Sequence, residues 1–178
     1  MPQHFPEPIQ TIHDYIQYFG LVSLNFIYLE SRLRACLRDM ARVRSKWPIT
    51  AKRMAHTCTL YEETTLGGLV TEFENNKGPE KLVANLRALL KERNEIFHSV
   101  FLLTDIERGA IPLDRVRRRT NELKALSERV QGRMHAVMKF GYPLHVELAR
   151  LQAEHHSPPG WTPTLAKLRE MVKDYPDD

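Results

Sequence analysis

Arg93, Asn94 and His98 are the residues of this 178-residue chain whose types and spacing could do chemistry. A guanidinium carries permanent charge and matches phosphate oxygens. An imidazole takes and gives protons near neutral pH. Asn94 and His98 are four apart, so on a helix they are neighbours, and the amide can fix the orientation and tautomer of the ring.

Leu82, Leu86, Leu89, Ile96 and Val100 fall within about 40° of one line on an ideal helix, and Arg93 falls within about 20° of the same line. An uncompensated charge buried on such a face costs on the order of several kcal/mol. Arg93 therefore needs a partner. Two are open: a structural ion pair with Glu30 of the first long helix, or an anion such as phosphate bound in a seam along this face. Arg87, Lys91, Asn94 and His98 make a second strip about 120° to 180° away, free of carboxylates, with Glu92 and Glu95 directed elsewhere. It is either a solvated face or a basic strip for a polyanion. Arg93 and His98 lie about 140° apart with a rise of about 7.5 Å, too divergent for one helix to aim both at one phosphorus. Two copies of the helix across a two-fold axis could do so.

The elements that position these residues are helical. After the Pro-rich start, apolar residues recur from Ile12 to Met40 in steps of three and four, which predicts a long amphipathic helix with Gly20 admitting a close neighbour. Trp47-Pro48 ends it, and the stretch to Glu63 reads as loop plus a short helix. Thr65 caps a short helix carrying Leu66, Leu69, Val70 and Phe73, with Gly67-Gly68 open to a neighbour. Asn75-Asn76-Lys77-Gly78 is a turn, and Pro79 opens the helix of the Arg-His pair, predicted to reach about Leu103. Pro112 opens another long helix, closed at about Phe140 by Gly141-Tyr142-Pro143, with a shorter helix over Leu144 to Ala153. Ser157-Pro158-Pro159-Gly160 is a linker before a last helix at Leu165 to Asp174. The expected architecture is all-α, a helical bundle with mostly antiparallel neighbours. Residues 1–156 form the domain, and 157–178 supply a linker and a helix packed on it.

Composition narrows the alternatives. Strand-forming runs are scarce among the 42% hydrophobic residues, and 26 Lys and Arg against 22 Asp and Glu give net +4, a balance that suits a polyanionic partner. Two cysteines, Cys36 and Cys58, without metal-ligand spacing fit a reducing cytoplasm and an inert thiol. No secretory signal or membrane-crossing run is read, so no membrane partner is expected. His155-His156 lacks a third ligand, and no metal or cofactor is expected. The helix from Pro112 to Phe140 carries Arg115, Arg117, Arg118, Arg119, Lys124, Arg129, Arg133 and Lys139. These spread around its circumference as a solvated surface, with phosphate tracking the lesser reading. Tyr15, Tyr18, Phe19, Phe26 and Tyr28 on the first helix suit core and dimer packing.

The string Arg93-Asn94-Glu95-Ile96-Phe97-His98, late in a long helix, resembles the Arg-Asn-x-x-x-His signature of HEPN domains, the higher-eukaryote and prokaryote nucleotide-binding fold. Leu66-Gly67-Gly68-Leu69 in the preceding short helix and Leu29-Glu30-Ser31 in the first helix extend the resemblance over roughly residues 12 to 140. It implies a compact fold with a long antiparallel helix pair, a homodimer, and metal-independent endoribonuclease activity at the dimer cleft. Arg93 and His98 would be catalytic, Asn94 would assist them, Arg87 and Lys91 would hold substrate RNA, and Glu30 would support Arg93. A toxin or antiphage role with a possible antitoxin partner follows from the same likeness. Val100 stands where HEPN toxins controlled by adenylylation carry a tyrosine, so that mode of control is not expected.

Overall fold

The computed structural model describes residues 7–44, 61–101, 105–106 and 108–156, and no strand occurs among them. Four helices carry the architecture: α1 (Glu7–Arg44), α2 (Leu66–Asn75), α3 (Glu80–His98) and α4 (Leu113–His156). The chain is an all-α bundle. The expectations for 45–60 apart from these helices, for Leu103 and for the linker and helix after residue 156 fall outside the described residues.

The two longest helices share most of the core. Val22, Leu29, Leu33 and Leu37 of α1 and Val116, Leu123, Leu126 and Val130 of α4 are all fully buried. Burying such side chains contributes about 1.5–3 kcal/mol each, against the conformational entropy that ordering them costs. Register is set by a buried polar pair, the Asn25 amide donating to Ser127 Oγ at 2.8 Å. Arg117 of α4 pairs with Glu7 at the start of α1, and His145 lies 3.6 Å from Asp39 near its end. Residue numbers rise together along both helices, so α1 and α4 run parallel. The helix antiparallel to α4 is α3, whose Glu92 meets Arg129 while its last turn meets Arg119.

Thr65 caps α2 as its spacing predicts, its hydroxyl accepting from the Gly68 amide, and Leu66, Leu69, Val70 and Phe73 are buried. In the turn to α3, Lys77 takes a φ of 66°. Gly78 follows against the Phe73 ring, where a Cβ would lie 2.5 Å from ring carbon. Pro79 sits one position before the first helical residue. Gly109, with φ 71°, turns the chain into α4.

Four local expectations are corrected. The motif helix stops at His98, with Ser99 as its C-cap, rather than at Leu103. Gly20 faces open space, and the nearest atom to a Cβ on Gly68 belongs to the adjoining Thr64, so neither admits a neighbouring helix. Gly141-Tyr142-Pro143 does not end α4, which continues to His156 with Pro143 inside it. An interior proline costs about 3 kcal/mol. Here Val137, Gly141, Leu144 and Leu148 form one stripe at helical spacing, with Val137 and Leu148 buried and Gly141 against Cys36, and tertiary packing holds the helix through the break.

The glycines give a test with opposite signs. Gly132 is an exposed interior position of α4 with nothing within 4 Å of a Cβ, so Gly132→Ala should raise stability by about 0.5–1 kcal/mol. Gly78→Ala should lower it by about 1–3 kcal/mol as Phe73 is displaced. Urea unfolding of both variants reads the difference.

Candidate functional site

The site is built at the C-terminal end of α3. Its apolar face docks Leu82, Val83, Leu86, Leu89 and Ile96 into the core, and Phe97 tucks against Phe19 at 5.1 Å and Phe26 at 6.3 Å between ring centroids. Phe101, just beyond, stacks on Tyr15, whose hydroxyl accepts from the Phe101 amide at 3.1 Å. Val100 does not join this face and is exposed.

Arg93 has no ion pair with Glu30. Its guanidinium carbon lies 5.8 Å from the Phe26 ring centre and 5.5 Å from that of Phe97, and its Nε is buried without a hydrogen-bond partner. Among the described residues no carboxylate reaches it. Arg93 is half-buried, so it keeps part of its solvation, and cation–π attraction of about 0.5–2 kcal/mol adds to this without neutralising the charge. Glu30 pairs instead with Arg34 at 3.3 Å. Arg34 also donates to the Tyr61 and Thr64 carbonyls at 2.9 and 3.1 Å, tying the chain ahead of α2 to α1. The nearer i,i+4 arginine outcompeted the distant one.

Asn94 and His98 are both exposed, and neither has a hydrogen-bond partner among the described residues. None of the described residues holds the imidazole in one orientation. Arg93 and His98 point to different sides of α3, as their angular separation requires, and one protomer does not bring them together. Arg87 and Lys91 are exposed but not free of carboxylates: Glu74 of α2 pairs with Arg87, and Glu95, expected to point elsewhere, lies 4.0 Å from Lys91.

Two further cations meet the end of the motif helix, and the sequence reading missed both. Arg119 is largely buried, donates to the Ile96 carbonyl at 3.3 Å and to Ser99 Oγ, and pairs with Glu122 at 2.7 Å. It adds a second donor to the Ile96 carbonyl in the last turn of α3, a carbonyl that also accepts from the Ser99 amide. Arg115, one turn earlier on the same face, lies 5.3 Å over Phe101. Their four-residue spacing within the basic run was the available signal. Of that run, Arg117 and Arg129 are engaged by Glu7 and Glu92.

A cleft of about 500 Å³ opens elsewhere, between the C-terminal parts of α1 and α4, lined by Arg32, Arg38, Asp39, Arg42, Tyr142 and His145 over an apolar floor. Cys36 on that floor has its thiol pushed up to about 12 by burial and then by the Asp39 carboxylate. Among the described residues no cluster of His, Cys, Asp or Glu could hold a metal ion, and no helix is long and apolar enough to cross a membrane.

No protein-family model, curated protein or solved structure matches the chain.

Two outcomes follow. Glu30→Ala should change stability by at most about 0.5 kcal/mol, since it breaks one i,i+4 pair, whereas Arg34→Ala should cost about 1.5–3 kcal/mol by stranding two carbonyls. Thermal melts compare them. Cys36 stays protonated and buried at pH 8, so it should resist iodoacetamide in the folded protein and react once urea unfolds it, as peptide mass mapping would show.

Proposed function

We propose that the chain is a HEPN-type endoribonuclease that cleaves RNA at a homodimer cleft. The observation that carries this reading is a guanidinium, Arg93, seated on two aromatic rings with no carboxylate to neutralise it, five residues from an exposed, unengaged imidazole, His98. Arg115 and Arg119 gather at the same helix end. A bound anion would supply the counter-charge that no described carboxylate provides.

In this scheme His98 of one subunit removes the proton from a ribose 2′-hydroxyl, and that oxygen attacks the adjacent phosphorus. The bond to the 5′-oxygen breaks, and the partner's His98 protonates the leaving alkoxide. The products are a 2′,3′-cyclic phosphate and a 5′-hydroxyl. Proton transfer by a positioned imidazole contributes about 10²- to 10⁴-fold. Arg93 offsets the charge that grows on the phosphoryl oxygens. Asn94, which makes no hydrogen bond to His98, donates to phosphate. The substrate must be RNA because the nucleophile is the 2′-hydroxyl. The scheme needs no metal ion. A cytoplasmic role in defence, with an antitoxin protein as partner, extends the reading by resemblance alone.

A second reading, a module that binds RNA, a nucleotide or a partner protein without cleaving, is favoured by the lack of any group orienting the imidazole in the protomer. Purified protein incubated with RNA in EDTA separates the two. The ribonuclease reading expects cyclic-phosphate ends, complete loss of cleavage in His98→Ala, and a loss of about 10²- to 10³-fold in Arg93→Ala. RNA retained on the protein but intact would support the binding module.

A further inference from the structure

The C-terminal parts of α1 and α4 separate to leave a cleft of about 500 Å³, a volume within the range of small-molecule sites. Its floor and walls are apolar, with Ala35 and Cys36 of α1 facing Val137, Met138 and Gly141 of α4. Its charge is one-sided. The three guanidinium groups of Arg32, Arg38 and Arg42 stand against one carboxylate, Asp39, which leaves a formal charge of +2 with His145 neutral. Asp39 lies 3.7 Å from Arg42 and 3.6 Å from His145, so Arg42 already meets its charge. Arg38 is half-buried and has no carboxylate partner among the described residues. It stands one turn from Arg42 on the same side of α1, where like charges repel. The dipole of α1 favours Arg42 and Arg44 in its last turn, but its influence fades beyond that turn and does not account for Arg38.

The facing wall is built from poor helix formers. Gly141 and Pro143, both unfavourable in a helix interior, fall together on the turn of α4 that borders the cleft. A Cβ on Gly141 would lie 3.6 Å from Cys36 Sγ, so a side chain larger than alanine would enter the floor of the cleft or push the two helices apart. Sequences override local preference in this way where a site requires it.

We infer that the cleft binds a small phosphate monoester with an uncharged, apolar body. Arg38 and Arg42 hold the phosphate, whose charge of about −1.5 to −2 at neutral pH balances that of the lining. The body lies along α1 towards Ala35, over Cys36 and Gly141 and beside Met138. Arg32, about 15 Å of helix away from Arg42, contributes field rather than contact. Inorganic phosphate would leave the apolar floor uncovered, and a neutral hydrocarbon would leave Arg38 without a counter-charge, so the two parts of the ligand belong together. No residue of α3 lines the cleft, and the inference does not rest on the ribonuclease reading.

Naphthyl phosphate titrated into the full chain at about pH 7.5, followed by its fluorescence, should bind saturably with a Kd below about 1 mM. Inorganic phosphate and naphthol should each bind at least about 10-fold more weakly. Arg38→Gln should weaken naphthyl phosphate by about 10- to 100-fold, the loss expected when hydrogen bonds to a charged group are removed, and Arg32→Gln by less than about 3-fold. Ala35→Trp fills the cleft without altering its charge and should abolish binding. Should circular dichroism show that this variant does not fold, Met138→Trp blocks the same cleft from its exposed rim. The absence of saturable binding overturns the site, as does binding that survives the folded tryptophan variant. Binding lost in Arg93→Ala places the anion on α3 and also overturns it. Naphthol or inorganic phosphate binding as tightly as the ester, or the monoanion naphthyl sulfate doing so, overturns the ligand class.

Discussion

The contact on which the site depends is a cation laid on two rings. Arg93 sits in the apolar face of α3, where a carboxylate would have made a closed ion pair with no net field. Phe26 and Phe97 supply a softer counterpart: their faces attract the guanidinium without cancelling its charge. Carboxylate pairing would have been stronger locally, but it would have spent the charge internally. As built, the arginine holds α3 to α1 through its contact with Phe26, and no described carboxylate pairs with its charge.

Everything around this contact fixes the end of α3. Phe97 locks into Phe19 and Phe26, Tyr15 takes the Phe101 amide, and Arg119 reaches across from α4 to the Ile96 carbonyl. Two helices, α1 and α4, thus converge on the six residues from Ile96 to Phe101. His98, by contrast, stands at the final helical position with no hydrogen-bond partner among the described residues, so the backbone beneath the imidazole is fixed while none of them holds the ring.

Where the sequence was legible, the signals were local and periodic. Thr65 with Leu66, Leu69, Val70 and Phe73, and the face of Leu82, Leu86, Leu89 and Ile96, occur as their spacing implies. Val100 shares that angular position but lies past the helix end, where angles counted at 100° per residue no longer apply. The failures are non-local. Arg93 was matched to Glu30 by chemical type, yet Glu30 has Arg34 one turn away on its own helix. Pro143 reads as a terminator until the stripe from Val137 to Leu148 is seen to rest on α1. Arg115 and Arg119 were hidden in a run of basic residues, because only the tertiary path of α4 shows which of them meet α3. The placement of Arg93, Asn94 and His98 around α3 was readable from spacing, and what surrounds them was not.

The parallel course of α1 and α4 has a consequence for how the chain is made. Asn25 meets Ser127 across 102 residues, and Glu7 meets Arg117 across 110. Contacts of such sequence separation form late, after local hairpins have closed. At translation rates of about 5–20 residues per second, α1 leaves the ribosome and waits on the order of 5–20 s for the helix that covers its inner side. The apolar residues of that inner side, Val22, Leu29, Leu33 and Leu37, stay open to misassociation until α4 arrives to cover them.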